Sequence, residues 1–164
     1  MQSTQSGTEA AQTGREYLSF VLGDAHYCID ILKVQEIRTY ETPTRIANTP
    51  AFIKGVMNLR GNIVPIIDLR MKFGLPEHRY DTQTVVIVLN VAKRTVGVVV
   101  DAVSDVMSVP ASEIKPPPEL GGALDTQYLQ GLATVNGQMM ILIDIERLMT
   151  SRDMAIMDEA AAQE

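Results

Sequence analysis

The chain has one cysteine, no tryptophan, three phenylalanines and five tyrosines in 164 residues. A single thiol, Cys28, excludes an internal disulfide and fits a reducing compartment. No apolar run approaches the ~18 residues needed to cross a bilayer. Met1 to Gly14 is polar and small, without the apolar stretch of a signal peptide, and reads as a disordered tail. Basic residues are in the minority: 14 Lys and Arg face 20 Asp and Glu, for a net charge of -6. That balance argues against general nucleic-acid binding, which leaves a basic footprint interleaved with aromatics.

Chemistry-bearing patterns are scarce as well. The chain has no Gly-x-Gly-x-x-Gly, no Walker loop and no serine elbow. His26 and His78 fall in predicted turns or loops, without a cysteine or second histidine at ligand spacing. Cys28 lies in an apolar strand and reads as a small buried hydrophobe rather than a reactive thiol. Asp68 and Asp144 invite comparison with paired catalytic carboxylates, which would have to converge across a cleft. Each directly precedes a short predicted helix, so capping is the simpler role. The reading is of no enzyme, no cofactor and no metal.

What the chain does contain is a repetition. Ile53 to Phe73 returns as Leu129 to Met149 at a constant offset of 76 residues. Gly55, Gly61, Ile67 and Asp68 become Gly131, Gly137, Ile143 and Asp144, with apolar residues replacing apolar ones between them. Upstream the offset is 69: Phe20 meets Leu89, Ile29 meets Val98, and Val34 meets Val103. About seven extra residues therefore enter the second copy between Val106 and Leu129. Pro116-Pro117-Pro118 and Gly121-Gly122 mark that interval as an inserted loop. Duplicated modules lying side by side create a groove between them.

The residue patterns are mostly those of strands. Tyr17 to Leu22 and Tyr27 to Ile31 predict one hairpin, and Lys54 to Arg60 with Asn62 to Ile67 another about Gly61. In the second copy that turn is Asn136-Gly137, a strong hairpin cue. Thr84 to Asn90 and Thr95 to Val100 predict a third hairpin, whose near-continuous valines suggest burial on both faces. Pro65 within a strand suggests an edge or a bulge. Short helices are expected over Leu32 to Ile37 and Asp68 to Phe73, with a final helix from Ser151 to about Ala162. Met139-Met140 and the Met154/Met157 pair suit either a pliable binding surface or core filling. The fold class is mainly β. Two small barrels are favoured over one continuous sandwich.

Three segments carry a resemblance. Asn58-Leu59-Arg60-Gly61-Asn62-Ile63-Val64-Pro65-Ile66-Ile67-Asp68-Leu69-Arg70 is similar to the signature of the CheW family. So are Ile29-Asp30-Ile31-Leu32-Lys33-Val34-Gln35-Glu36-Ile37-Arg38 and Arg45-Ile46-Ala47-Asn48-Thr49-Pro50. The likeness runs from about Glu16 to Asp158. This family also includes the regulatory domain of the kinase CheA and the first domain of CheV proteins.

The resemblance implies two five-stranded SH3-like β-barrel subdomains packed on a shared core, with short helices and a C-terminal helix. The expected organisation is a tail over 1–15, one CheW-like domain over 16–150, and a C-terminal helix and tail over 151–164. Within the domain, the subdomains are expected at about 16–82 and 83–150. The resemblance also implies a non-catalytic chemotaxis adaptor in the cytoplasm, recruited to the inner face of the membrane through receptor clusters. Its partners would be the hairpin tip of chemoreceptors and the regulatory domain of CheA, in arrays or rings, without nucleic acid or membrane insertion. By motif match, Val34, Glu36, Arg60 and Val106 are receptor-binding or signalling candidates. Thr44, Arg45, Ile46 and Gly55 are candidates for the kinase-facing edge. The second copy departs from the motif where Asn136 replaces Arg60, and the Pro-rich stretch 115–125 is not signature sequence.

Overall fold

The computed structural model describes residues 14–75, 79–117 and 126–149. The predicted helix from Ser151, His78, the Met154/Met157 pair and residues 118–125 of the Pro-rich stretch lie outside these. The first half runs β1 (Gly14–Leu22), β2 (Ala25–Asp30), β3 (Val34–Thr39), β4 (Ile53–Leu59), β5 (Asn62–Asp68) and a one-turn helix α1 (Leu69–Lys72). The second runs β6 (Val85–Val91), β7 (Arg94–Val100), β8 (Ala102–Pro110), β9 (Leu129–Val135), β10 (Gln138–Ile143) and α2 (Ile145–Met149). β1 begins at Gly14, so Gly14 and Arg15 belong to the sheet rather than to a tail.

The strands form two five-stranded sheets, ordered β8-β1-β2-β10-β9 and β3-β6-β7-β5-β4. Advancing every strand of the first order by five places yields the second. The registers agree too. Leu18 opposite Val106 corresponds to Ile37 opposite Ile87, and Leu142 opposite Cys28 corresponds to Ile66 opposite Gly97. Even the irregularities repeat, with bulges at Ile53/Gly55 and Leu142/Ile143. The ladders of each sheet leave two edge strands, and an isolated bridge reaches one of them from the chain beyond the other: Thr44, past β3, to Val56 of β4, and Lys115, past β8, to Leu132 of β9. This is a five-stranded, SH3-like arrangement made twice.

The sheets do not follow the expected division of the chain near residues 82 and 83. Each takes its central hairpin from one copy and its other three strands from the other, through the parallel pairings of β2 with β10 and of β5 with β7. The residues after β2 and β7 leave their hairpins as the next strand, β3 or β8, and that strand completes the opposite sheet. Two further expectations fail. Leu32 to Ile37 is not helical: one 3-10 turn over Ile31–Lys33 leads into β3, where half-buried and exposed residues alternate. Of the two alternatives for Pro65, the edge fails because β4 and β7 flank β5, while a bulge does lie nearby in the β4–β5 ladder, opposite Ile66 and Ile67. The ladder with β7 begins only at Ile66, one residue past Pro65. The missing N–H of Pro65 therefore costs that ladder no bond.

Alternation places apolar residues on both sides of the central strands. Ile87, Leu89 and Val91 of β6 and Val98 and Val100 of β7 join Leu18, Phe20 and Ile29 of the other sheet in the shared core. Val86, Val88 and Val99 point the other way, into a smaller core with Leu59, Val64 and Ile66. The counterpart in the first sheet holds Tyr17, Cys28 and Leu142. The continuous valine run is thus buried on both faces, as its sequence predicts.

Candidate functional site

Arg60 owes its position to a tight turn. The β4–β5 hairpin turns through Arg60 and Gly61 at φ of 52° and 89°. The pair repeats as Asn136 and Gly137 at 53° and 78°. Positive φ at both turn positions matches the twist of the flanking strands, and the Asn58 side chain accepts the Gly61 N–H at 2.8 Å. Arg60 then reaches across to β3 and donates to the Glu36 carboxylate. Glu36 also faces Arg38 at 3.5 Å, two residues along the same face of β3. The Arg60 hydrogen bond, followed by the two guanidinium charges, outweighs desolvation and lowers the Glu36 pKa. The Arg60 side chain is 64% exposed and that of Glu36 24%, so the cation is presented and the carboxylate recessed. An exposed pair of this kind adds little to stability; its accessibility is what suits it to a partner.

The other two signalling candidates stand apart. Val34 begins β3 half-buried against the shared core, next to an exposed Leu32. Val106 lies on β8, the edge of the other sheet, and is exposed. Its counterpart is Ile37, equally exposed on β3. A second repeated pair of exposed apolar residues, Ile63 and Met139, stands second in β5 and in β10. The signature match did not single out Ile37, Ile63 or Met139. Their signal was the repeat itself, which pairs each exposed apolar residue with its equivalent.

Thr44, Arg45 and Gly55 do come together. Thr44 exchanges backbone hydrogen bonds with Val56 at 2.9 and 2.8 Å, next to the bulge that contains Gly55. Thr44 and Arg45 are exposed and Ile46 is half-buried, with its carbonyl accepting the Thr49 hydroxyl at 3.0 Å. Gly55 is buried beneath them. Its part is to admit the Thr44 backbone.

Behind this face lies a polar network that the sequence did not reveal. Arg70 is fully buried and donates through Nε and Nη2 to Asp68 at 2.9 and 2.8 Å. Its Nη1 donates to Asp101 Oδ1 at 2.7 Å and to the Arg79 carbonyl at 2.6 Å. The Tyr80 hydroxyl donates to Asp68 Oδ2 at 2.6 Å, and its ring stacks on Tyr40 with centroids 4.5 Å apart. Burial alone would raise the Asp68 pKa, but the hydrogen bonds from Arg70 and Tyr80 prevail and hold it below its usual value. The same carboxylate accepts the Arg70 backbone N–H and so caps α1. Asp144 accepts the Arg147 backbone N–H at 3.1 Å in the equivalent place. Both capping expectations hold. With both oxygens engaged and the side chain buried, Asp68 offers nothing to a substrate.

Comparison with known proteins agrees with this architecture. The family model of the CheW-like domain matches residues 16–153. The chemotaxis protein CheW of Klebsiella aerogenes is 56% identical over 97% of this chain and 96% of its own length. The Bacillus subtilis chemotaxis protein CheW is 31% identical over 93% and 99%. Among solved structures, the scaffolding protein TtCheW of Thermoanaerobacter tengcongensis superposes with a TM-score of 0.77 at 32% identity, covering 85% of this chain and 90% of its own. The doubled five-stranded sheets, the signature through Arg60 and the near full-length likeness agree: the chain belongs to the CheW-like domain family.

Proposed function

We propose that this protein is a non-catalytic chemotaxis adaptor that couples the cytoplasmic hairpin of transmembrane chemoreceptors to the regulatory domain of the histidine kinase CheA. The observation that carries the reading is the presented Arg60 guanidinium, held from behind by Glu36 at the tip of a rigid hairpin. Its relatives bear chemotaxis and scaffolding names, and an adaptor needs separate surfaces for separate partners. Arg60 and Glu36, with Val34 and Val106, form the receptor or signalling side of this proposal. Thr44, Arg45 and Ile46 over Gly55 form the kinase side. Several weak contacts of this kind gain avidity in an array through effective concentration, without one tight site. Recruitment to the inner face of the membrane would then follow from receptor binding, since no helix among the described residues is long and apolar enough to cross it.

The test is a pull-down with two baits, a receptor cytoplasmic hairpin and a CheA regulatory domain, comparing wild type with Arg60→Glu. Wild type should retain both baits, and the variant should lose the receptor hairpin while keeping the kinase domain. A folded wild type that retains neither bait overturns the adaptor reading.

A further inference from the structure

The Tyr80 site has an equivalent in the other sheet. There a cavity of about 410 Å³ opens among Arg15, Asp30, Lys33, Gln130, Asp144 and Glu146. The repeat maps Gln130 to Lys54, Asp144 to Asp68, Glu146 to Arg70, Asp30 to Val99 and Arg15 to Thr84. Lys54 and Arg70 both lie over the Tyr80 ring, and Thr84 hydrogen-bonds the Arg79 carbonyl. One copy therefore fills this location with its own guanidinium and phenol, whereas among the described residues the other leaves a polar cavity there.

The charges around the cavity define what would fit. Asp68 receives two guanidinium N–H groups and a phenol hydroxyl. Asp144, in the same position, receives the backbone N–H of Arg147. The position that holds the cation Arg70 holds the anion Glu146 here, and Lys33 pairs with it at 2.5 Å. Asp30 pairs with Arg15 at 3.1 Å. Two cations and three carboxylates line the cavity, so its lining carries a net negative charge.

We propose that this cavity binds an arginine side chain presented by a partner protein, its guanidinium forking onto Asp144 as Arg70 forks onto Asp68. A planar guanidinium matches a carboxylate through two parallel hydrogen bonds, which the point charge of lysine does not reproduce. The volume lies in the lower range for ligand pockets, about 300 to 1,000 Å³, and accepts one side chain rather than a folded element. The cavity lining includes none of the residues proposed for the receptor or kinase sides, so the site is additional to them and does not rest on that reading.

The experiment is an amide-resolved NMR titration of the full chain with Nα-acetyl-arginine methylamide, its citrulline equivalent and free L-arginine. The capped arginine should move the amides of Gln130, Asp144 and Glu146 and bind at least about tenfold more tightly than citrulline, the scale of one charge-assisted pair. Asp144→Asn should weaken it by about the same factor. Glu146→Arg should abolish it by supplying the cation within the chain, as Arg70 does. Equal binding of citrulline, shifts confined to other residues, or unchanged affinity in a folded Asp144→Asn would overturn the site. Tighter binding of free L-arginine than of the capped residue would overturn the protein source of the ligand. The probes contain neither receptor nor kinase, so these outcomes are separate from those of the pull-down.

Discussion

The carbonyl oxygen of Thr44 occupies the place where position 55 would carry a Cβ: an added carbon on Gly55 would lie 2.0 Å from it. The backbone at Gly55 also has φ of 140°, a region that side-chain-bearing residues rarely enter. Both constraints act where the isolated bridge from Thr44, in the chain beyond β3, reaches Val56 of β4.

Gly55→Ala should therefore destabilise the protein by about 2 kcal/mol or more, through backbone strain and steric overlap. Chemical denaturation with a two-state fit would measure it. A stability within about 0.5 kcal/mol of wild type, the usual scatter for a surface change, would mean that the bridge is dispensable. If the loss is found, a binding defect in Gly55 variants must be read as damage to the Thr44 strand edge, with Gly55 itself untouched by the partner.

The Asp68–Arg70 pair should confer a particular dependence on pH. Its folded pKa is lowered, so the ionised pair stabilises above the unfolded carboxylate value, about 3.9, and the contribution is lost as pH falls through the folded value. Asp68→Asn leaves Arg70 buried without its full counter-charge and should cost about 3 to 5 kcal/mol near neutrality. Melting curves from pH 7 down to pH 2 should show the gap between variant and wild type narrowing at the acid end. A gap that stays constant with pH would exclude the carboxylate charge as its cause.

Gly61→Val should destabilise by about 1 to 2 kcal/mol. Nothing lies within 4 Å of a Cβ at Gly61, so the cost comes from its φ of 89° alone. Gly61→Asn, which tolerates left-handed backbone better, should recover part of it. If valine and asparagine melt at the wild-type temperature, the turn conformation is wrong.

Arg60→Glu should leave the melting temperature nearly unchanged, because Arg60 is exposed and its pairing with Glu36 adds little. Differential scanning calorimetry on the same preparation used for the pull-down would check this. A drop of many degrees would assign Arg60 to the fold rather than to a partner.

Cys28 should resist thiol reagents in the native protein. Burial pushes its pKa up to about 11, and the reagent has no path to a side chain that is fully enclosed. Its labelling rate should track unfolding by denaturant. Rapid labelling of the native chain would show an opening in the smaller core of the first sheet.

The duplication, the hairpins and the doubly buried valines were legible because each rests on local pattern: Asn136-Gly137 for a turn, Val96 to Val100 for a central strand. Local pattern misled at Leu32 to Ile37, where the spacing of Leu32, Val34 and Ile37 breaks the two-residue alternation of a strand. The ladder with β6 decided in favour of the strand. The repeat pointed to two copies, but its offsets contain no information on which copy's strands pair, so the exchange between sheets was invisible. Arg70 stood in the signature two residues from Asp68, yet an arginine in a short predicted helix reads as a surface residue. Its burial depends on Asp101, Arg79 and Tyr80, which converge only after folding. Of the site candidates, Glu36 with Arg60 and Thr44 with Gly55 are joined by direct contacts, whereas Val106 stands on the other sheet.

The exchange of strands between the two halves also sets an order of assembly. β2 finds its parallel neighbour only when β10 exists, more than a hundred residues later in the chain. Pairings across such separations make folding slow relative to hairpin formation, because loop closure must come first. A ribosome that has produced only the first copy has therefore completed neither barrel. The second sheet has all its strands once β7 is made, whereas β1 and β2 wait for β8, β9 and β10 before the first can be completed.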